Sequence, residues 1–191
     1  MKILDDFLAE DEFNHIQSYF QNSLPWHYLD HIVGNHQEDP NCFQFVHTFS
    51  KAIDPYLQFP YSKHSHVIKP ILSKLAPWIL LKVKANLRPI STHHILSAFH
   101  TDLGDINQLT AIFYLNTCNG YTLFKDGTKI DSIANRILIF PGYLQHCGAS
   151  CTDQKHRTVL NINYFPGKLN DNSLYIPSHS VCSVPTSFPE F

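Results

Sequence analysis

The hydrophobic positions of the chain change their period about halfway along it. Near the start, Phe13, Ile16 and Phe20 recur at spacings of three and four, which places them on one face of a helix. Glu10, Asp11 and Glu12 precede that stripe and suit the positive end of a helix. "LDDFLAEDEFNHIQSYFQN" therefore reads as strand, turn and helix. Residues 22 to 45 have little period and read as loops and short strands, with "NCFQFVHTF" continuing into a short helix. Helical spacing returns at Val67, Ile68, Ile71, Leu72 and Leu75, with Pro70 in the first turn and Pro77 marking the end. "WILLKVKANLRP" then reads as a strand closed by Pro89.

From residue 96 the segments "LSAFHTD", "QLTAIFYLN", "GYTLFKDGTKI", "NRILIFPG" and "RTVLNINYF" are short strand candidates at near-regular intervals. Asn119-Gly120 and Asp126-Gly127 are turn signals between them. Helices first and many short strands after predict a mainly β fold with flanking helices, a jelly roll or double-stranded β-helix. The 191 residues suit one domain: helical support over about 1–80, a jelly-roll core over about 80–167, and a Ser-, Pro- and Asn-rich wrap over 168–191.

Composition narrows the class. Hydrophobic residues make up 43% and aromatics 13%, enough for a packed core, and a net charge of -2 gives no sign of a nucleic-acid or anionic-membrane surface. The five cysteines, an odd number without a CxxC pair, read as reduced thiols. "MKILDDFLAEDEF" carries acids where a signal peptide needs an apolar run, and no stretch reaches the roughly 18 apolar residues of a membrane span. The expected location is the cytoplasm, with no membrane partner.

The chemistry concentrates in "FHTDLGDI". On a strand, His100 and Asp102 point to the same side. A third ligand follows "RILIFPGYLQH", where a strand ends at Pro141-Gly142 and His146 comes shortly after. Three such groups converge only if the sheet closes on itself. Two imidazoles and one carboxylate on one face of a metal leave the other positions open, which suits non-haem Fe(II) and oxygen chemistry. Zinc competes for the same donors on affinity alone. The competing histidines His64, His66, His93, His94 and His156 lack a carboxylate two positions on at a strand end and read as solvated. Cys147 is a rival ligand beside His146, but neighbours on an extended chain face opposite ways, so it is expected to point away.

Alternation in "RTVLNINYF" puts Arg157, Val159, Asn161 and Asn163 on one face and Thr158, Leu160, Ile162 and Tyr164 on the other. An arginine pointing into a barrel needs an anion, which a dicarboxylate cosubstrate supplies in forked geometry; the alternative is an exposed charge at a strand end. In "QLTAIFYLN", Thr110, Ile112 and Tyr114 share a face. The Tyr114 hydroxyl needs a partner, either the same carboxylate or water.

"FHTD", "LTAIFYLN", "NGYTLF", "NRILIFPGYLQH" and "RTVLNINYF", in that order over residues 96 to 165, resemble the 2-oxoglutarate- and Fe(II)-dependent dioxygenases, and within them the prolyl-hydroxylase-like branch. Asn119-Gly120 stands where that branch has a Gly-Gly-type turn. The resemblance implies that His100, Asp102 and His146 bind iron, and that Arg157 holds the distal carboxylate of 2-oxoglutarate. It gives Tyr114 a hydrogen bond to that carboxylate and places Thr110 close by. It also implies a contribution from the strand before the HxD pair, where Asn86 and Arg88 are the candidates. The activity implied is hydroxylation of a C–H bond in a peptidyl, prolyl included, or small-molecule substrate. O2 is cosubstrate, ascorbate is supportive, and succinate and CO2 are coproducts. Two other readings compete: a nucleic-acid demethylase of the same superfamily, disfavoured by the acidic balance, and a non-catalytic jelly-roll binding module. Trp26, Tyr28, His93 and His94 are candidates for the cavity entrance. Nothing in the sequence sets the oligomeric state.

Overall fold

Antiparallel pairing builds two sheets in the computed structural model, which describes residues 1–32, 42–51, 62–104 and 107–167. The elements run β1 (Lys2–Leu4), α1 (Glu10–Asn22), β2 (His27–Leu29), β3 (Gln44–Lys51), a 3-10 turn (Ser65–Ile68), α2 (Lys69–Leu75), β4 (Pro77–Pro89), β5 (Leu109–Tyr114), β6 (Cys118–Phe124), β7 (Lys129–Ser132), β8 (Ile137–Pro141), β9 (His146–Gly148) and β10 (His156–Pro166). The large sheet has the order β1-β8-β5-β10-β4-β3-β2 and the small one β7-β6-β9. Together they form the jelly roll expected from the strand spacing.

Each face of the large sheet has its own apolar cluster. On the helix side, Phe13, Ile16 and Phe20 of α1 and Ile71 and Leu75 of α2 pack against Leu160, Ile162 and Tyr164 of β10. Phe113 is fully buried at the centre of that layer, with Phe7 and Phe13 meeting it edge-on at 6.1 Å between centroids. Burial of a side chain of this size stabilises the fold by about 1.5–3 kcal/mol, with about 0.5–1.5 more for the aromatic geometry. On the other side, Ile112, Tyr114, Phe124, Ile130, Leu138, Phe140 and Val159 fill the space between the sheets. The predicted alternation of β5 and β10 is the reason these two sets separate.

Three segments differ from the sequence reading. "NCFQFVHTF" gives strand β3 and no helix: Val46, His47, Phe49 and Ser50 are buried, and the strand is sandwiched between β2 and β4. The β-branched and aromatic residues there favour a pleated, half-covered surface, and the neighbouring strands decide. The front of the chain thus supplies β1, β2 and β3 to the large sheet as well as helices. "LSAFHTD" is not a regular strand; it pairs through isolated bridges, Leu96 to Ala149 and His100 to His146, with Ser97 Oγ accepting from Gly148 N. Asn119-Gly120 lies inside β6, not in a turn, whereas Asp126-Gly127 does turn the chain, with Gly127 at φ 91. Helix α2 ends as Pro77 predicts, Ala76 taking a left-handed conformation. The proposed wrap over 168–191, Cys182 and residues 33–41 lie outside the described residues. No helix among the described residues is long and apolar enough to cross a membrane.

Candidate metal centre and cosubstrate cavity

His100 and His146 exchange both backbone hydrogen bonds at 3.0 Å, so they face each other across an antiparallel bridge with ring centroids 5.0 Å apart. Each ring is oriented by its own chain: His100 Nδ1 lies 2.9 Å from the Ala98 carbonyl and His146 Nδ1 lies 3.1 Å from that of Leu144. A carbonyl only accepts, so both Nδ1 atoms carry the proton and both Nε2 atoms present a lone pair. Burial pushes the His146 pKa down against the opposing pull of Asp102, which favours the neutral imidazole that a metal requires.

Asp102 completes the group. Its carboxylate oxygens stand 4.0 Å from His100 Nε2 and 3.9 Å from His146 Nε2, and all three ligand atoms lie within 4.8 Å of one another. Strand alternation is not what brings Asp102 there. After His100 the chain leaves the sheet in a bend over Asp102, Leu103 and Gly104, the last at φ 69. Asn163 of β10 then fixes the carboxylate, its Nδ2 donating to Asp102 Oδ2 at 3.0 Å and to Thr110 Oγ1 at 3.0 Å. Such an outer contact orients a ligating carboxylate.

The group opens into a cavity of about 220 Å³ walled by both sheets. At its far end Arg157 is 4% exposed, and no carboxylate pairs with it among the described residues. Its Nη2 donates to Thr122 Oγ1 at 3.1 Å, its guanidinium lies over the Tyr114 ring at 5.6 Å, and its Nε has no partner among the described residues. Burial pulls the Arg157 pKa down, the expected response of a cation without an anion. The donor set therefore fits a carboxylate that enters from the cavity. Gly120 makes room for this side chain: a Cβ there would sit 2.6 Å from Arg157 Cδ. That contact, and not a turn, is the reason for glycine at this position.

The remaining expected residues divide. Asn86 and Arg88 both line the cavity. Arg88 is tied to backbone through two of its nitrogens, donating to Gly148 O and Ile95 O at 2.8 Å, and burial lowers its pKa to about 10. It braces β9 and the segment leading to His100. Thr110 is reached through Asn163 and does not line the cavity; Tyr114 lies behind Arg157 and donates to Thr122 Oγ1 at 2.9 Å. Cys147 forms part of the wall but is not among the three converging ligands. Trp26 is remote from the cavity entrance, packed on Phe20 at the helix face. Tyr28 is exposed beside Phe43 and Phe45, and His94 is held by Ser150 O at 2.7 Å.

Sequence reading missed Thr122, Asn163 and Lys84. The first two were visible as polar residues on inward faces of apolar strands, Asn163 beside Arg157 in the alternation of β10. Their partners were not visible.

No family model and no curated protein matches the sequence. Among solved structures, one similar fold is a 2OG-Fe(II) oxygenase family oxidoreductase from Burkholderia pseudomallei, with a TM-score of 0.62, 10% identity and coverage of 85% of this chain and 84% of that one. The chain has the fold of the 2-oxoglutarate- and Fe(II)-dependent oxygenases. A prolyl hydroxylase from Trichoplax adhaerens, solved with a hypoxia inducible factor peptide, shares it at a TM-score of 0.56 and 15% identity, covering 86% of this chain and 83% of that one. HygX from Streptomyces hygroscopicus, solved with iron bound, gives 0.54 and 10%, covering 86% and 81%. The prolyl-hydroxylase-like branch expected from the motifs is thus represented among the neighbours of this oxygenase fold.

Proposed function

We propose that this chain is an Fe(II)- and 2-oxoglutarate-dependent dioxygenase that hydroxylates a C–H bond of a small-molecule or peptidyl substrate, with succinate and CO2 as coproducts. One observation carries the reading. A His100–Asp102–His146 group within 4.8 Å shares its cavity with a buried arginine that no carboxylate pairs among the described residues. The oxygenase fold and the peptide held by one neighbour support the substrate class.

In this reading His100, Asp102 and His146 would hold the ion, and as a set of two imidazoles and one carboxylate they would leave it able to take the cosubstrate as well. When bound, the iron and 2-oxoglutarate supply the O2 activation and oxidative decarboxylation. The chain does the rest. The Nδ1–H contacts of His100 and His146 keep both Nε2 lone pairs aimed at the ion, and Asn163 keeps Asp102 from turning away. Arg157 grips the distal carboxylate of the cosubstrate. Thr122 Oγ1 accepts from both Tyr114 and Arg157 and lines the cavity, so in this reading its hydroxyl is free to donate to the cosubstrate. Tyr114 thereby acts on the cosubstrate through Thr122. Asn86 flanks the same site, and Ile112 and Val159 keep its walls apolar.

The test is succinate release from 2-oxoglutarate with Fe(II), ascorbate and O2 in the absence of a primary substrate. Slow turnover that vanishes in His100→Ala and in Arg157→Ala is the expected result. A wild-type chain that releases no succinate and binds no 2-oxoglutarate in the presence of Mn(II) sinks the proposal.

A further inference from the structure

The cavity holds more positive charge than the chemistry above uses. Among the described residues its walls carry Lys82, Lys84, Arg88 and Arg157 against one carboxylate, Asp102. A divalent ion with Asp102 leaves one positive charge and Arg157 adds a second; the 2-oxoglutarate dianion cancels both. Arg88 has backbone carbonyls on two of its nitrogens. Those carbonyls hold Arg88 in place without cancelling its charge, so Arg88, Lys82 and Lys84 all remain uncancelled, and Arg88 is the one already tied to backbone.

Their place in the sheet is specific. Lys82, Lys84, Asn86 and Arg88 alternate on the cavity face of β4, and β10 lies alongside, with Arg157 opposite Arg88, Val159 opposite Asn86, Asn161 opposite Lys84 and Asn163 opposite Lys82. Asn163 is the residue bonded to Asp102. The two arginines therefore occupy one end of the face and the two lysines the end nearer the metal group. Lys84 is half-buried, and its ammonium makes no ion pair among the described residues. Burial lowers its pKa, Lys82 adds to that, and Asp102 opposes both. A half-buried ammonium beside a second lysine is costly unless an anion arrives.

We propose that Lys84, assisted by Lys82, Asn161 and Asn86, is the subsite for the primary substrate, and that this substrate is a small molecule bearing a carboxylate. The inference rests on the oxygenase reading. It selects within it, because a proline inside a peptide brings no negative charge to cancel these lysines. The ammonium fixes the carboxylate as a point charge, and the C–H bond to be oxidised is then the one a fixed distance from that group.

The experiment uses the full chain with Zn(II) and N-oxalylglycine, an inert stand-in for the cosubstrate, and reads thermal stabilisation. Short-chain carboxylic acids and amino acids are added, each paired with its primary amide, together with a proline-containing peptide capped at both ends. The same panel is scored for stimulated succinate release with Fe(II) and 2-oxoglutarate. Acids that stabilise and stimulate while their amides and the capped peptide do not are the expected result. Affinity for the best acid should fall by at least about tenfold in Lys84→Gln and recover in part in Lys84→Arg. If N-oxalylglycine fails to bind the wild-type chain, the oxygenase reading fails and takes this inference with it. If it binds but amides or the capped peptide match the acids, if no acid acts, or if Lys84→Gln binds the acid unchanged, only the substrate assignment is overturned. Should Lys84→Gln not fold, the acid–amide comparison on the wild type decides.

Discussion

Asn163 donates to Asp102 from the middle of β10, 61 residues away in sequence, and with the same nitrogen reaches Thr110 on β5. The carboxylate of the metal group is therefore aimed by the floor of the sheet and not by its own loop.

Replacing Asn163 by Leu should leave the three ligands present and loosen one of them. The expected outcome is a loss of about 10- to 100-fold in metal affinity, measured by competition with a chelator of known strength. Circular dichroism should stay native.

Arg157 shows the opposite balance of stability and binding. It is buried with no carboxylate partner among the described residues, so Arg157→Met should not lower the melting temperature of the ligand-free chain. The same change should remove a charge-assisted contact with the cosubstrate and weaken 2-oxoglutarate binding by about 2–5 kcal/mol, read by calorimetry with Mn(II). A wild-type chain that binds 2-oxoglutarate no better than this variant would contradict the assignment.

Gly120 is the spacer for that arginine. A Cβ there meets Arg157 Cδ at 2.6 Å and the carbonyls of Ala149 and Ser150 at 3.0 and 3.1 Å. Because two of the three neighbours are backbone, Gly120→Ala should cost about 1–3 kcal/mol in thermal or urea denaturation and also weaken 2-oxoglutarate binding. Gly127→Ala, where no atom lies within 4 Å but φ is 91, should lower stability through backbone strain alone and leave binding intact.

Arg136 closes β1 onto β8 through Asp5, with Nε to Oδ1 at 2.6 Å and Nη2 to Oδ2 at 3.0 Å. The bond holds the Asp5 carboxyl below its ordinary value of 3.8. A depressed carboxyl stabilises the fold above the ordinary value, and that contribution disappears as pH falls through the folded-state value. Asp5 is more than half exposed, so the contribution is a few tenths to about 1 kcal/mol. Asp5→Asn should melt slightly below wild type at neutral pH, and the difference should close as pH is taken below 3.8.

Much of the site was legible before the fold was known because it depends on short-range rules. Alternation separated Arg157 and Asn163 from Leu160 and Ile162 on β10, and the two faces do enter the cavity and the helix-side core respectively. Spacing also marked α1 and the end of α2. Where the reading went wrong, a distant neighbour decided. "FQFVHTF" became a strand because β2 and β4 offered pairing partners. Gly120 looked like a turn because glycine is common in turns, while its actual neighbour, Arg157, lies 37 residues on.

The sequence by itself determined which donors the chain owns, two histidines, an aspartate and an arginine, and, through a period of two, which face of β10 Arg157 occupies. Only the tertiary structure decided that Asn163 holds Asp102, that Thr122 links Tyr114 to Arg157, and that Lys84 makes no ion pair among the described residues. Those relationships depend on strand register between segments tens of residues apart, and a one-residue slip in any pairing would turn each of these side chains to the opposite face.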